Sequence, residues 1–268
     1  VGGSQKSEYG DLGTFDIAWN INEGNKIAAF AYYMDDGENY NGLASNDSLG
    51  LVTTSFDNTD RVKVYWVGLS GEMEVGNFFG NATGAYQGGT ADSNEVGDGD
   101  ADIKAWMAHA ELGINIDKAY FKVGGLYMSG DDKADDEVEN FFGIDTDNTM
   151  IGSVALFEFW DPTGDYAFYG PQLGRAGARH LYAHVGYEIN DKTDVRLGGL
   201  WYNADEKVDG ERNLGYEING EVNYKITRNL SAGLAAGYLI GDDAWDSLAA
   251  DGEGDDLWKV ISMFRYKF

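Results

Sequence analysis

Few residues in this chain could do chemistry, and their spacing works against it. His180 and His184 stand four apart in "HLYAHVGYEI". On a helix that spacing would bring both rings to one metal; on a strand it separates them by about 13 Å. The alternation around them is that of a strand, so both are expected to be polar wall residues, and His109 reads the same way. No Ser/His/Asp arrangement marks a nucleophile: His180 and Ser231 fall on neighbouring hairpins, and both are expected to point inward. No catalytic residue and no enzymatic activity is expected. Asp98, Asp100 and Asp102 have the 1-3-5 rhythm of a calcium loop. The sixth position, however, is Ile103 rather than Gly, and the twelfth is His109 rather than Glu. The expectation is a solvated acidic loop that holds calcium or magnesium loosely at most, and no cofactor.

Charge narrows the partners. The 268 residues carry a net charge of −27, from 46 acidic and 19 basic side chains. A phosphate backbone needs a basic surface, so nucleic acid is excluded as a partner. With 38 Gly, 17 Tyr, 13 Phe, 7 Trp and no Cys, the composition favours all-β architecture and removes disulfides and thiolate sites. No apolar run approaches the roughly 18 residues of a membrane-spanning helix, but a membrane β-strand needs only about 9–11 alternating ones.

That alternation is clearest late in the chain. In "LGYEINGEVNYKI", Leu214, Tyr216, Ile218, Val222, Tyr224 and Ile226 share one face, and Glu217, Asn219, Glu221, Asn223 and Lys225 share the other. Strand pairs of the same design are expected at 13–21 with 26–34, 103–114 with 119–128, and 180–189 with 194–202. A pair at 61–75 with 77–87 is less clean, because both its faces are mixed. Tight turns such as "NEGN", "IDK", "NDKT" and "TRN" alternate with long acidic segments at 35–60, 90–102, 131–177 and 241–256. Short turns at one end and long loops at the other describe a transmembrane antiparallel up-and-down β-barrel, a single domain over 1–268. A β-sandwich or lipocalin-like barrel with its apolar face inward is the alternative. Aromatics near the ends of the apolar faces, as in interfacial girdles, weigh against it.

The chain closes on "VISMFRYKF", with Phe264, Tyr266 and Phe268 on one face of the strand. This resembles the last-strand signal of Gram-negative outer-membrane barrels, and "LYMSGDDKADDEVENFF" looks like the large-loop entry of porin-like and alginate-export-like barrels. The resemblance implies that the short turns are periplasmic, that the acidic loops are extracellular, and that the assembly machinery reads Phe264, Tyr266 and Phe268. It also implies a cell outer-membrane, multi-pass location, with outer-membrane lipid, lipopolysaccharide and the barrel-assembly machinery as partners, and a porin-like homotrimer among the assemblies to be tested.

About eleven strands are expected, whereas bacterial single-chain barrels have even numbers. One misread strand would account for this; so would a chain that is the C-terminal part of a longer barrel, which is the favoured account. The 131–177 loop is apolar in its second half. It is expected to fold into the lumen, to meet a neighbouring subunit, or to hide a further hairpin. Two functions remain open. One is a porin for passive diffusion of small hydrophilic solutes or ions, cation-preferring because of its acidic mouths. The other is a structural or interaction barrel without an open pore, holding a partner protein or surface lipids. The expected pore-lining residues are Glu111, His180, His184, Glu188, Arg196, Glu217, Glu221, Lys225, Lys259 and Arg265.

Overall fold

The structure is a computed structural model and describes residues 11–36, 59–93, 100–131, 137–141, 176–208, 210–246 and 256–267. Strands dominate it: β1 (Asp11–Asn22), β2 (Asn25–Asp36), β3 (Thr59–Val75), β4 (Phe78–Ser93), β5 (Asp100–Ile116), β6 (Ala119–Met128), the two-residue β7 (Glu137–Val138), β8 (Ala178–Asn190), β9 (Thr193–Val208), β10 (Glu211–Lys225), β11 (Leu230–Gly241) and β12 (Leu257–Tyr266). One short helix, α1 (Asp243–Asp246), follows β11. Each long strand pairs antiparallel with the next, in the order β1-β2-β3-β4-β5-β6-β8-β9-β10-β11-β12. The expected strand pairs are all present, and the described residues hold eleven long strands, as the alternation predicts.

Period-two patterning fixes which way each strand faces. In β8 the outward series Leu181, Val185, Tyr187 is exposed, while the inward series His180, Tyr182, His184 is buried. β10 and β11 repeat this: Ile218, Val222, Leu234 and Tyr238 are exposed, and Glu217, Asn219, Ala235 and Leu239 are buried. A soluble β fold would show the reverse, with apolar residues inside. Aromatics gather in two bands on the exposed face. Tyr33, Tyr65, Trp106, Trp201, Tyr216 and Trp258 lie toward the loop end, and Phe78, Tyr187, Tyr224 and Tyr266 toward the turn end.

The turn end is tight. Gly24 adopts φ 83° and Gly76 φ 61°, the left-handed geometry that these short connections require. The loop end is more elaborate. β6 stops at Met128, but β5 extends further, and β7 takes up the vacant ladder beside it in parallel, pairing Glu137 with Asp102 and Val138 with Ile103. Ser129 fastens this return. Its hydroxyl accepts from Trp106 N at 2.9 Å and donates to Glu139 O at 2.6 Å, while Phe141 N donates to Ser129 O at 3.0 Å. Residues 137–141 of the long loop therefore extend the wall; 132–136 and 142–175, the latter including its apolar second half, lie outside the described residues.

Two features depart from the sequence reading. Leu214 was expected on the outer face with Tyr216, yet it is fully buried inside, packed with Tyr182, Leu200, Tyr202 and Leu239. The cause is a register shift on either side of Asn213, where Gly215 adopts φ 125°. A β-carbon at Gly215 would lie 2.0 Å from Ile240 O, so the bulge needs glycine there. The inner face of β2–β6 is also apolar toward the loop end, where Met34, Val62, Val64, Trp66, Ile103 and Met128 form a buried cluster. This explains the mixed faces of 61–75: the strand is apolar outward along its length and inward at one end.

Candidate functional site: the charged inner wall

The polar inner face is built by register. Antiparallel pairing sets Asn81 (β4) beside Glu111 (β5), Glu111 beside Gly124 (β6), and Gly124 beside Tyr182 (β8). Gly124 presents no side chain, so the Tyr182 ring lies flat over it; a β-carbon there would sit 2.3 Å from the ring. The Tyr182 hydroxyl then donates to Glu111 Oε2 at 3.0 Å, and Lys122 Nζ donates to the same oxygen at 2.8 Å. Because Tyr182 gives its hydrogen to Glu111, the 2.9 Å contact with His109 Nε2 is completed by the imidazole as donor. Asn81 Nδ2 reaches Glu111 Oε1 at 3.4 Å.

A second group lies on β9 and β10. Arg196 and Glu221, paired in register, form a 2.8 Å ion bridge. Asn223 Nδ2 donates to Glu221 Oε1 at 2.8 Å and to Asp194 Oδ1 at 3.1 Å. Closer to the loop end, Tyr202 donates to Glu217 Oε2 at 2.8 Å and Asn219 Nδ2 to Glu217 Oε1 at 2.7 Å. Both ion pairs are shielded: the Glu111 and Glu221 side chains are each only 10% exposed. Charges this poorly hydrated need hydrogen-bonded partners, and each carboxylate has several.

All ten residues predicted for the interior lie on the inner face. The structure brings Arg196 and Glu221 into contact and sets His180 against the Tyr202 ring, with centroids 5.1 Å apart. His184 lies over Gly198 beside Asn219. Glu188 and Lys225 face inward at the turn end, Lys259 faces Gly237, and Arg265 faces Ser231. Among the described residues Lys225, Lys259 and Arg265 make no ion pair. His180 and Ser231 sit at opposite ends of the inner face, His180 level with Tyr202 and Ser231 level with Lys225. Asn219, which a water-lined wall would leave wet, is 3% exposed.

Lys122, Tyr182, Tyr202 and Asn81 were missed as partners. The available signal was inward parity on strands flanking a predicted carboxylate, with glycine between Glu111 and Tyr182. At the last strand, Phe264 and Tyr266 are on the exposed outer face; Phe268 lies outside the described residues. Of the acidic triplet, Asp98 also lies outside them and Asp100 begins β5. Asp102 stands 3.3 Å from Lys104 Nζ, which is itself 2.7 Å from Glu137. No group of three or more His, Asp or Glu arranged to hold a metal occurs among the described residues.

An exposed apolar belt with aromatic margins, a polar inner wall and a meander of antiparallel strands define the class: an outer-membrane, multi-pass β-barrel. The chain is similar to OccAB4 of Acinetobacter baumannii, with TM-score 0.51 and 12% identity over 94% of this chain and 51% of that one. It is also similar to Salmonella typhi OmpF, solved with daunomycin (TM-score 0.47, 11% identity, 90% of this chain and 61% of that one). The NanC porin gives TM-score 0.41 and 10% identity over 94% of this chain and 99% of that one. The chain thus has the fold of Gram-negative outer-membrane barrels, an antiparallel up-and-down sheet, and spans about half the length of OccAB4. No protein-family model and no curated protein matches the sequence.

Proposed function

We propose that this wall belongs to a porin, a water-filled channel for passive diffusion of small hydrophilic solutes or ions, with a preference for cations. The observation that carries the reading is the segregation of ionic side chains to the inner face, where Glu111, Lys122, Arg196 and Glu221 sit behind an apolar outer belt. A barrel that served only as an anchor has no need of an ionic interior. The similarity to the NanC porin is in keeping with it. Cation preference rests on the net charge of −27 and on carboxylates crowded into the loops, which raise the cation concentration at the mouth. Stepwise conductance of the purified polypeptide in planar bilayers tests the channel; a tight seal without steps refutes it.

A second reading, a barrel without an open pore that holds a partner protein or surface lipids, draws on the apolar cluster inside β2–β6. Silent bilayers together with stable co-purification of a surface component would favour it.

A further inference from the structure

Charges of opposite sign face each other without meeting at the turn end of the inner wall. Around Glu111 and Glu221 each carboxylate has a cation at 2.8 Å. Nearer the turns, Glu188 on β8 pairs in register with Asp194 on β9, so two carboxylates stand side by side, an arrangement that costs stability. Asn223 Nδ2 donates to Asp194 Oδ1 at 3.1 Å, whereas the Glu188 carboxylate has no partner among the described residues. The cations begin on the next strand. Lys225 on β10 pairs with Ser231 on β11, and Ser231 with Arg265 on β12, which makes one inward row. β11 and β12 contain no acidic residue, in a chain that has 46.

A cavity joins the two groups. About 450 Å³ in volume, it is lined by Tyr120, Glu188, Asp194 and Lys225, beside the β5–β6 and β8–β9 turns. That is room for a small solute. By register, Glu188 and Lys225 stand two strand spacings and two residues apart, about 12 Å between Cα atoms. A simple cation in this cavity would meet Lys225 as a like charge, and a simple anion would meet Glu188. A solute with an ammonium at one end and a carboxylate at the other answers both. Its ammonium donates to Glu188 and Asp194 and relieves their repulsion, while its carboxylate accepts from Lys225 Nζ. We infer that this cavity is a binding subsite for zwitterions of the amino-acid and short-peptide class. Glu188 and Asp194 form its ammonium pole and Lys225 its carboxylate pole, and Ser231 and Arg265 continue the donor row beyond. The inference rests on the channel reading and names a class of solute for it.

The probe is alanylalanine, titrated calorimetrically into the purified polypeptide in detergent. It is compared with its N-acetyl derivative, which keeps only the carboxylate, and with its amide, which keeps only the ammonium. Saturable binding of alanylalanine is expected, with each singly charged form weaker by about tenfold or more, the worth of one charge-assisted hydrogen bond. Glu188→Gln should lose most of the preference over the N-acetyl form, and Lys225→Gln most of the preference over the amide. A general failure to fold would not split the two variants in this way. Absence of saturable binding overturns the inference. So does an amide or an N-acetyl form that binds as tightly as alanylalanine, which would make the cavity a site for a lone cation or a lone anion. The three probes are compared on unaltered protein, so the result stands even where a variant fails to assemble. Conductance steps without a zwitterion preference would sink this inference alone. A silent bilayer would refute the channel, and calorimetry would still decide the site.

Discussion

Tyr182 on β8 donates its hydroxyl hydrogen to Glu111 on β5, 3.0 Å away, across the whole width of β6. A side chain spans two strand spacings only where the strand between offers no obstacle, and Gly124 is that gap. Three strands are thereby tied by one bond in addition to their backbone ladders.

Widening the residue under that bond should break it. In Gly124→Val the new side chain meets the Tyr182 ring, and overpacking of this kind costs about 1–3 kcal/mol. Gly71→Ala is the control, since a β-carbon there has no heavy atom nearer than 3.7 Å. Urea unfolding of both variants in lipid vesicles should separate them; equal midpoints would contradict the packing described.

Removing a cation from the inner wall should cost more than removing the whole pair. Lys122→Met leaves the shielded Glu111 carboxylate without its 2.8 Å partner, and such stranded charges cost roughly 3–5 kcal/mol. Adding Glu111→Gln to Lys122→Met should restore most of the loss. A double variant as unstable as the single one would show that the pair is not coupled.

Leu234 is 53% exposed on the outer face at mid-strand of β11. Leu234→Arg should therefore cost about 2–4 kcal/mol in a bilayer if it lies at the midplane. Ser231→Arg, inward on the same strand, should be mild. Folding in vesicles reads both, and equal penalties would put the lipid face elsewhere.

Selectivity should reflect a contest between mouth and wall. On the proposed reading the acidic loops draw cations, while Lys225, Lys259 and Arg265 face inward on β10 and β12 and make no ion pair among the described residues. Reversal potentials across a KCl gradient should show cation preference that weakens above about 0.1 M salt, where the Debye length falls below about 10 Å. Replacing the three cations by Gln should strengthen that preference. Anion preference in the unaltered protein would mean that the inner cations govern the pore.

The strands were legible because period two is a local signal, and Leu181, Val185 and Tyr187 announce their face within one segment. The site was legible only by side. That Glu111, Arg196 and Glu221 turn inward follows from parity, but that Glu111 meets Lys122 and Tyr182 depends on register between strands up to 71 residues apart. Local reading failed where one residue shifts parity, as at Gly215, which sends Leu214 inside. It failed again where a strand is apolar on both faces, as at Val62, Val64 and Trp66. β7 was invisible: two residues carry no period, and its place is set by where β6 stops.

The flat ring over Gly124 is one of a set. Phe30 lies over Gly68, Phe79 over Gly113, Tyr120 over Gly186 and His184 over Gly198, each on the inner face of a neighbouring strand. Upright, these side chains would reach toward the axis by their full length. Laid down like roof tiles, they add only the thickness of a ring. A glycine on one strand thus sets how far its neighbour intrudes, and the bore of the barrel is governed by residues that have no side chain to place in it.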